Sequence, residues 1–213
     1  MKIKCSQCSR EFKMPDGLGG SIFCENCDPA MQEYSRETIP DDLGFAVDRV
    51  WAMPSKDTFT IKPIAELLKR YIPLGGTSWV DPFAGNNSPA FITNDHNPAT
   101  SAKHHLEALD FVESLGKNLF DGALFDPPYS YRQVSEHYKV IGKKATQLDT
   151  STRFYNRVLN PLADIIKKGG YCISFGWNTN GMGKNRGFEI VEILIVAHGG
   201  HHNDTLVTVE QKL

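Results

Sequence analysis

From residue 57 onward the sequence predicts an α/β fold. The expected core is a mostly parallel sheet covered on both faces, finished by an antiparallel hairpin and preceded by a small metal-stapled module. Three observations predict it. Short apolar or β-branched runs alternate with helical patterns after residue 57. The last two of these runs are separated by one short loop, which forces them into a hairpin. Four of the five cysteines fall in the first 27 residues as two CxxC pairs.

Composition agrees. The 213 residues are 40% hydrophobic and 23% charged, enough for one substantial core and one small satellite. No run of about 18 apolar residues is present to span a membrane, and Met1 to Cys5 opens no apolar stretch of signal-peptide length. A cytoplasmic protein with no membrane partner is expected. The net charge is −2, but it is unevenly spread: residues 31–129 carry 8 basic and 14 acidic side chains, and residues 130–190 carry 10 and 4. The basic half suits a polyanion, although a solvated surface reads the same way.

The N-terminal pairs are Cys5-Ser6-Gln7-Cys8 and Cys24-Glu25-Asn26-Cys27, with fifteen residues between them. In a reducing compartment four thiolates in two tight knuckles suit tetrahedral zinc rather than disulfides. Residues 1–28 are too few to build a hydrophobic core, so a zinc ribbon there draws its stability from Zn2+, worth about 10 to 16 kcal/mol in small zinc modules. Residues 29–56 are polar and mixed in charge, and they read as a linker or cap with one short helix.

Residues 57–213 hold the alternating pattern. A helix is expected over Ile61 to Tyr71, with Lys62-Pro63 at its start and Pro73-Leu74-Gly75-Gly76 after its end. Strands are expected over Thr77 to Val80, Phe91 to Asn94, Gly122 to Phe125, Tyr171 to Phe175, Ile190 to Ala197 and Thr205 to Val209. Helices fit Ala102 to Glu113 and Arg153 to Lys168.

Two strings carry chemistry. Trp79-Val80-Asp81-Pro82-Phe83-Ala84-Gly85-Asn86-Asn87 is a strand that stops at an acid and enters a small-residue loop, where a cofactor can approach backbone amides. Leu124-Phe125-Asp126-Pro127-Pro128-Tyr129 ends a second strand at an acid inside a rigid diproline turn. A carboxylate oxygen of Asp126 and the carbonyl of Pro127 can each accept one hydrogen of an NH2 group while Tyr129 stacks on a flat ring. An exocyclic amine is a poor nucleophile because its lone pair is delocalised into the ring; positioned acceptors stabilise the charge that develops on nitrogen. The prolines lock φ and remove competing donors.

With both strings in place the chain resembles the amino-methyltransferases of DNA, whose signatures are a Phe-x-Gly-x-Gly loop after the first strand and a catalytic Asp-Pro-Pro-Tyr. The resemblance spans roughly residues 57–213. It implies a Rossmann-like methyltransferase sheet and a catalytic set of Asp126, Pro127, Pro128 and Tyr129. It also implies transfer of methyl from S-adenosyl-L-methionine to the exocyclic N6 of a flipped adenine, with double-stranded DNA as partner. Asp81, Phe83, Ala84 and Gly85 would line the methionine end of the cofactor, Asp95 the ribose hydroxyls and Asp110 the adenine amino group. Thr58 and Phe59, in Asp57-Thr58-Phe59-Thr60, resemble the family's additional cofactor segment. Asn87 stands where the family commonly has its second glycine, and Asn also adopts positive φ.

The chain has no room for the dedicated recognition domain of sequence-specific family members. Specificity is therefore expected from residues 130–152, from the ribbon or from a protein partner. Arg132, Lys143, Lys144 and Arg153 lie in a basic, aromatic stretch suited to phosphates beside a flipped base. Trp177 follows another apolar strand and either walls the base pocket or closes the core, with Lys184 and Arg186 as further phosphate contacts. His198-Gly199-Gly200-His201-His202-Asn203-Asp204 reads as a polar hairpin loop rather than a second metal site, and Cys172 as a buried small hydrophobe. The competing readings are a cytosine-N4 or RNA-base amino methyltransferase and a non-catalytic zinc-ribbon nucleic-acid-binding protein. A glutamine-amide methyltransferase is disfavoured because that family is usually marked by Asn at the position of Asp126.

Overall fold

The computed structural model describes residues 2–4, 11–13, 44–73, 75–128, 135 and 152–213. Near the N-terminus β1 (Lys2–Lys4) and β2 (Glu11–Lys13) pair antiparallel, with Lys2 opposite Lys13 and Lys4 opposite Glu11. The first CxxC pair lies in sequence between them. Cys5, Cys8, Cys24 and Cys27 lie outside the described residues, as do Tyr129, Arg132, Lys143 and Lys144.

Seven strands form one sheet: β3 (Ala46–Trp51), β4 (Trp79–Asp81), β5 (Ile92–Thr93), β6 (Phe120–Phe125), β7 (Ile166–Gly176), β8 (Phe188–Ala197) and β9 (Thr205–Lys212). Their order is β3-β8-β9-β7-β6-β4-β5. β9 runs antiparallel to both β7 and β8, and the other described pairings of this sheet are parallel. This is the expected Rossmann-like sheet with an antiparallel terminal hairpin. From β4 the chain moves outward to β5 and then crosses to β6 on the other side. Strand order therefore reverses between β4 and β6, the point at which open α/β sheets leave a crevice at their carboxyl ends.

Each face is covered by helices whose apolar stripe the sequence encodes. In α1 (Lys62–Tyr71) Pro63 sits in the first turn, Ile64, Leu67 and Leu68 are buried at helical spacing, and Lys69 and Arg70 oppose the dipole at the end. The stripe packs on Trp79, Leu124, Ile173 and Leu194. Burial of each such side chain contributes about 1.5 to 3 kcal/mol. On the other face α2 (Ala108–Glu113) and α3 (Thr152–Ile165) bury Phe111, Val112, Leu159 and Leu162 against Val80, Ala123, Phe125 and Cys172. Cys172 is fully buried and its thiol pKa is pushed far up by that burial, as expected of a small hydrophobe.

Three expectations are corrected. Residues 46–51, from the stretch read as linker or cap with a short helix, form an edge strand parallel to β8, with Val47 opposite Ile193 and Val50 opposite Val196. The adjacent charges Asp48 and Arg49 hid its alternation. The helix expected from Ala102 begins only at Ala108, because Asn94 captures the backbone before it: Asn94 Nδ2 donates to Leu106 O at 3.0 Å, and Leu106 N donates to Asn94 Oδ1 at 2.9 Å. There His104 forms a parallel bridge to Asn94. Finally, α3 ends at Ile165 and not at Lys168, since Ile166 already pairs with Phe120 and residues 167–170 precede the next pairing, Tyr171 with Gly122. Among the described residues, no helix is long and apolar enough to cross a membrane.

Candidate active site

The carboxyl ends of β5, β4 and β6 bring three acids to one rim: Asp95, Asp81 and Asp126. Each sits where a strand gives way to a turn, so its side chain is placed by the sheet and its neighbours by the loop.

Asp81 is fully buried and faces its own loop. Its Oδ1 accepts the amide of Phe83 at 2.9 Å and its Oδ2 the hydroxyl of Ser88 at 2.6 Å. Burial raises its pKa to about 7, and the nearby Asp126 and Asp95 push the same way against those two hydrogen bonds. Asp81 thus shapes the loop from inside. The loop is also laid onto β5: Ala84 N donates to Asn94 O at 2.9 Å and Asn94 Nδ2 to Pro82 O at 3.1 Å. Gly85 has φ +51, and a Cβ built on it meets nothing within 4 Å. That combination gives an open backbone edge which a side chain would strain.

Asp95 is half-buried. Its Oδ2 accepts Gly85 N at 3.1 Å and its Oδ1 accepts Asn97 N at 2.8 Å, so one carboxylate joins the β4 loop to the turn after β5. Asp110 lies in the first turn of α2 and is exposed. Thr58 and Phe59 form a 3-10 turn before α1, with the Phe59 ring edge-on to Phe175 at 5.2 Å, near the end of β7. The structure therefore joins Asp81, Phe83, Ala84, Gly85 and Asp95 in one hydrogen-bonded unit. It places Phe59 against the β7 end instead.

After β6 the chain turns through Asp126, Pro127 and Pro128, with Asp126 half-buried and Pro127 buried. Aromatic rings support this turn. Phe83 packs edge-on against Phe125 at 5.6 Å, and Phe125 against Tyr155 at 6.3 Å, linking the β4 loop to α3. The Tyr155 hydroxyl donates to the carbonyl of Pro128 at 2.7 Å.

Beyond the turn, a cleft of about 860 Å³ is lined by Pro127, Tyr155 and the segment from Trp177 to Arg186. Trp177 is half-exposed at 49%. Lys184 is exposed. Arg186 acts as a brace: its Nε donates to Asn160 Oδ1 at 2.8 Å, its Nη2 to Asn156 Oδ1 at 2.9 Å and its Nη1 to Met182 O at 2.7 Å. His198 is buried in the β8–β9 loop, hydrogen-bonded to Ala52 O at 2.8 Å and Thr205 Oγ1 at 2.9 Å. Among the described residues no group of three or more His, Cys, Asp or Glu side chains is arranged to hold a metal ion.

Sequence reasoning missed Asn94, Tyr155 and Glu210. Asn94 reads as an ordinary strand end. Tyr155 reads as one residue of an amphipathic helix, and Glu210 falls in the polar phase of β9, which alternation assigns to solvent. In the sheet interior both phases are buried, and Glu210 is only 2% exposed.

No protein-family model and no curated protein matches the sequence. Solved structures similar to this one include TrmN from Thermus thermophilus, at 16% identity over 72% of this chain with a TM-score of 0.46. The N-methyltransferase NodS from Bradyrhizobium japonicum WM9 is 12% identical, with 71% of this chain and 95% of NodS covered and a TM-score of 0.46. Burkholderia thailandensis 1,6-didemethyltoxoflavin-N1-methyltransferase, with bound 1,6-didemethyltoxoflavin and S-adenosylhomocysteine, is 14% identical, with 71% and 77% of the two chains covered and a TM-score of 0.46. The chain spans about half the length of TrmN, 49%.

Proposed function

We propose that the chain transfers a methyl group from S-adenosylmethionine to the exocyclic N6 of adenine in double-stranded DNA. The observation that carries this reading is the position of the Asp126-Pro127-Pro128 turn, at the end of β6, beside the acid-ended β4 loop where strand order reverses.

The β4 loop fits the cofactor on two grounds. Gly85 presents an open backbone edge, and Asp95, which accepts the Gly85 amide, places an acid beside it that suits a ligand carrying positive charge. Asp81, Phe83, Ala84 and Gly85 would hold the methionine end, Asp95 the ribose hydroxyls and Asp110 the adenine amino group, with Thr58 and Phe59 as a further contact. When bound, S-adenosylmethionine supplies a methyl group on a positively charged sulfur.

The chain's own residues do the rest. The Pro128 carbonyl accepts the Tyr155 hydroxyl, and the carbonyl that would face an amine with Asp126 is that of Pro127. These two acceptors hold the NH2 hydrogens and stabilise charge developing on nitrogen, and the ring of Tyr129 stacks on the base. Their value depends on being fixed before the amine arrives, and the Phe83, Phe125 and Tyr155 stack provides that fixing. Zinc held by Cys5, Cys8, Cys24 and Cys27 would order the N-terminal ribbon, which then assists binding of DNA or of a protein partner.

Transfer of labelled methyl from S-adenosylmethionine to unmethylated duplex DNA, followed by nucleoside mass spectrometry, tests the proposal with Asp126→Ala as control. N6-methyladenine is expected with the wild-type chain and absent with the variant. N4-methylcytosine would keep the chemistry and change the base, and label in RNA alone would remove DNA as the acceptor. Cofactor binding without transfer to either polymer would favour a binding protein.

A further inference from the structure

The connection from β4 to β5 departs from the usual build of parallel strands. Such strands are joined by a crossover of about a dozen or more residues, generally with a helix. Here residues 82–91, all among those described, join the two strands without one. The passage is tight: Phe91 N donates to Gly76 O at 3.1 Å, and a Cβ on Gly76 would stand 2.5 Å from Pro89 O. A loop that runs into a helix is anchored at its far end by the helix's hydrogen-bonded turns. The β4 loop lacks that anchor and is held from the side.

Asn94, directly after β5, supplies the hold. It is wholly buried, at 0% exposure. Its Nδ2 gives one hydrogen to Pro82 O at 3.1 Å and the other to Leu106 O at 3.0 Å, while its Oδ1 accepts Leu106 N at 2.9 Å. Its main chain adds two bonds to the same region: Asn94 N donates to Asp81 O at 2.8 Å, and Asn94 O accepts Ala84 N at 2.9 Å. One residue therefore ties the β4 loop to the chain just ahead of α2, whose first turn carries Asp110. Only an amide offers two donors and an acceptor together here. A carboxylate has no hydrogens for the two carbonyls, and an aliphatic side chain leaves three backbone groups without this partner.

The two segments so joined are those that would hold opposite ends of the cofactor, Asp81 to Gly85 the methionine end and Asp110 the adenine. We infer that Asn94 is a positioning residue for that cofactor: it fixes the span between the β4 loop and the entry to α2, so that one ligand engages both ends at once. The inference rests on the methyl-transfer reading for the identity of the ligand. Two contacts held at a fixed separation bind a linked ligand more tightly than either half, because the second contact is made at high effective concentration. Freeing one segment removes that advantage while each half keeps its own contacts.

S-adenosylhomocysteine, which spans both ends, and adenosine, which reaches the adenine end alone, are the probes, titrated calorimetrically into the full chain. In Asn94→Ser the hydroxyl is too short to reach both segments. Affinity for S-adenosylhomocysteine should then fall about ten-fold or more, while affinity for adenosine stays within about three-fold. If that variant does not fold, Asn94→Asp carries the same comparison, since it keeps the volume and the acceptor for Leu106 N but loses both donors. A side chain that only stabilised the fold would lower the thermal midpoint and leave both affinities unaltered well below it. That result, or an equal loss for the two ligands, overturns the inference and leaves the methyl-transfer reading standing. A wild-type chain that binds neither ligand would remove the methyl-transfer reading and the inference with it.

Discussion

The hydroxyl of Tyr155 lies 2.7 Å from the carbonyl oxygen of Pro128, and on the same helix the next residue, Asn156, together with Asn160 holds Arg186. A single helix, α3, therefore sets the diproline turn and the far wall of the cleft against each other. Misplacement of either by about 1 Å is enough to slow a reaction that depends on alignment.

Tyr155→Phe removes the bond to Pro128 and leaves the ring in its stack. The expected loss of stability is about 1 kcal/mol, and the rate of transfer should fall about ten-fold because the Pro127 carbonyl loses its alignment. Single-turnover kinetics with saturating cofactor read the rate, and calorimetry should show cofactor affinity unchanged. An unaltered rate would reduce Tyr155 to a packing residue.

Asp81 makes stability depend on pH in a defined direction. Its pKa is about 7 in the fold against 3.8 for the unperturbed group, with burial as the main cause. The folded state thus holds this proton more tightly than the unfolded chain. The associated stability is fully present below the unfolded pKa and is lost as pH rises through about 7. Asp81→Asn keeps an acceptor for Phe83 and a donor for Ser88 but does not titrate. The thermal midpoint of the wild type should fall relative to the variant as pH rises from about 4 to about 7 and run parallel to it above that; parallel curves throughout would contradict the burial argument.

Asp95→Ala strips the acceptor from Gly85 N and Asn97 N together. Two unsatisfied amides cost about 1 to 3 kcal/mol each if they stay out of water, and the loop edge at Gly85 loses its tether. Affinity for S-adenosylmethionine should drop about ten-fold or more by calorimetry. Comparable affinity in the variant would refute a ribose role for Asp95.

On the proposed zinc ribbon, Cys5→Ser or a chelator is expected to release zinc and unfold residues 1–28 without unfolding the sheet, since the described core is built from residues 44–213. Metal analysis and scanning calorimetry check this together. Loss of the main cooperative transition would show that the ribbon and the sheet are one folding unit.

Much of this architecture was legible in local pattern. Ile64, Leu67 and Leu68 announce α1 by spacing alone, and the short loop before Thr205 forces β8 and β9 into a hairpin because there is no chain for a crossover. Asp81 and Asp126 were legible as strand-ending acids because a strand that runs into Asp-Pro must stop there. Asp48 and Arg49 concealed β3, whose place at the sheet edge is settled only by its partner β8. Asn94 concealed its grip on Leu106, since an amide that bonds a backbone twelve residues away leaves no local trace.

The sequence by itself determined the alternation of elements, the antiparallel ending and the two acid-terminated strand turns, because each follows from side-chain periodicity and backbone restriction within a few residues. Only the tertiary structure decided that Asp81 turns inward to shape its loop, that Arg186 braces α3, and that Tyr155 and Glu210 hold the two sides of the cleft. Those roles depend on which groups burial leaves without water. A buried carboxylate such as Glu210 must find its hydrogen-bond partners wherever the fold brings them, here at Met182 and Gly183, and sequence separation does not limit that choice.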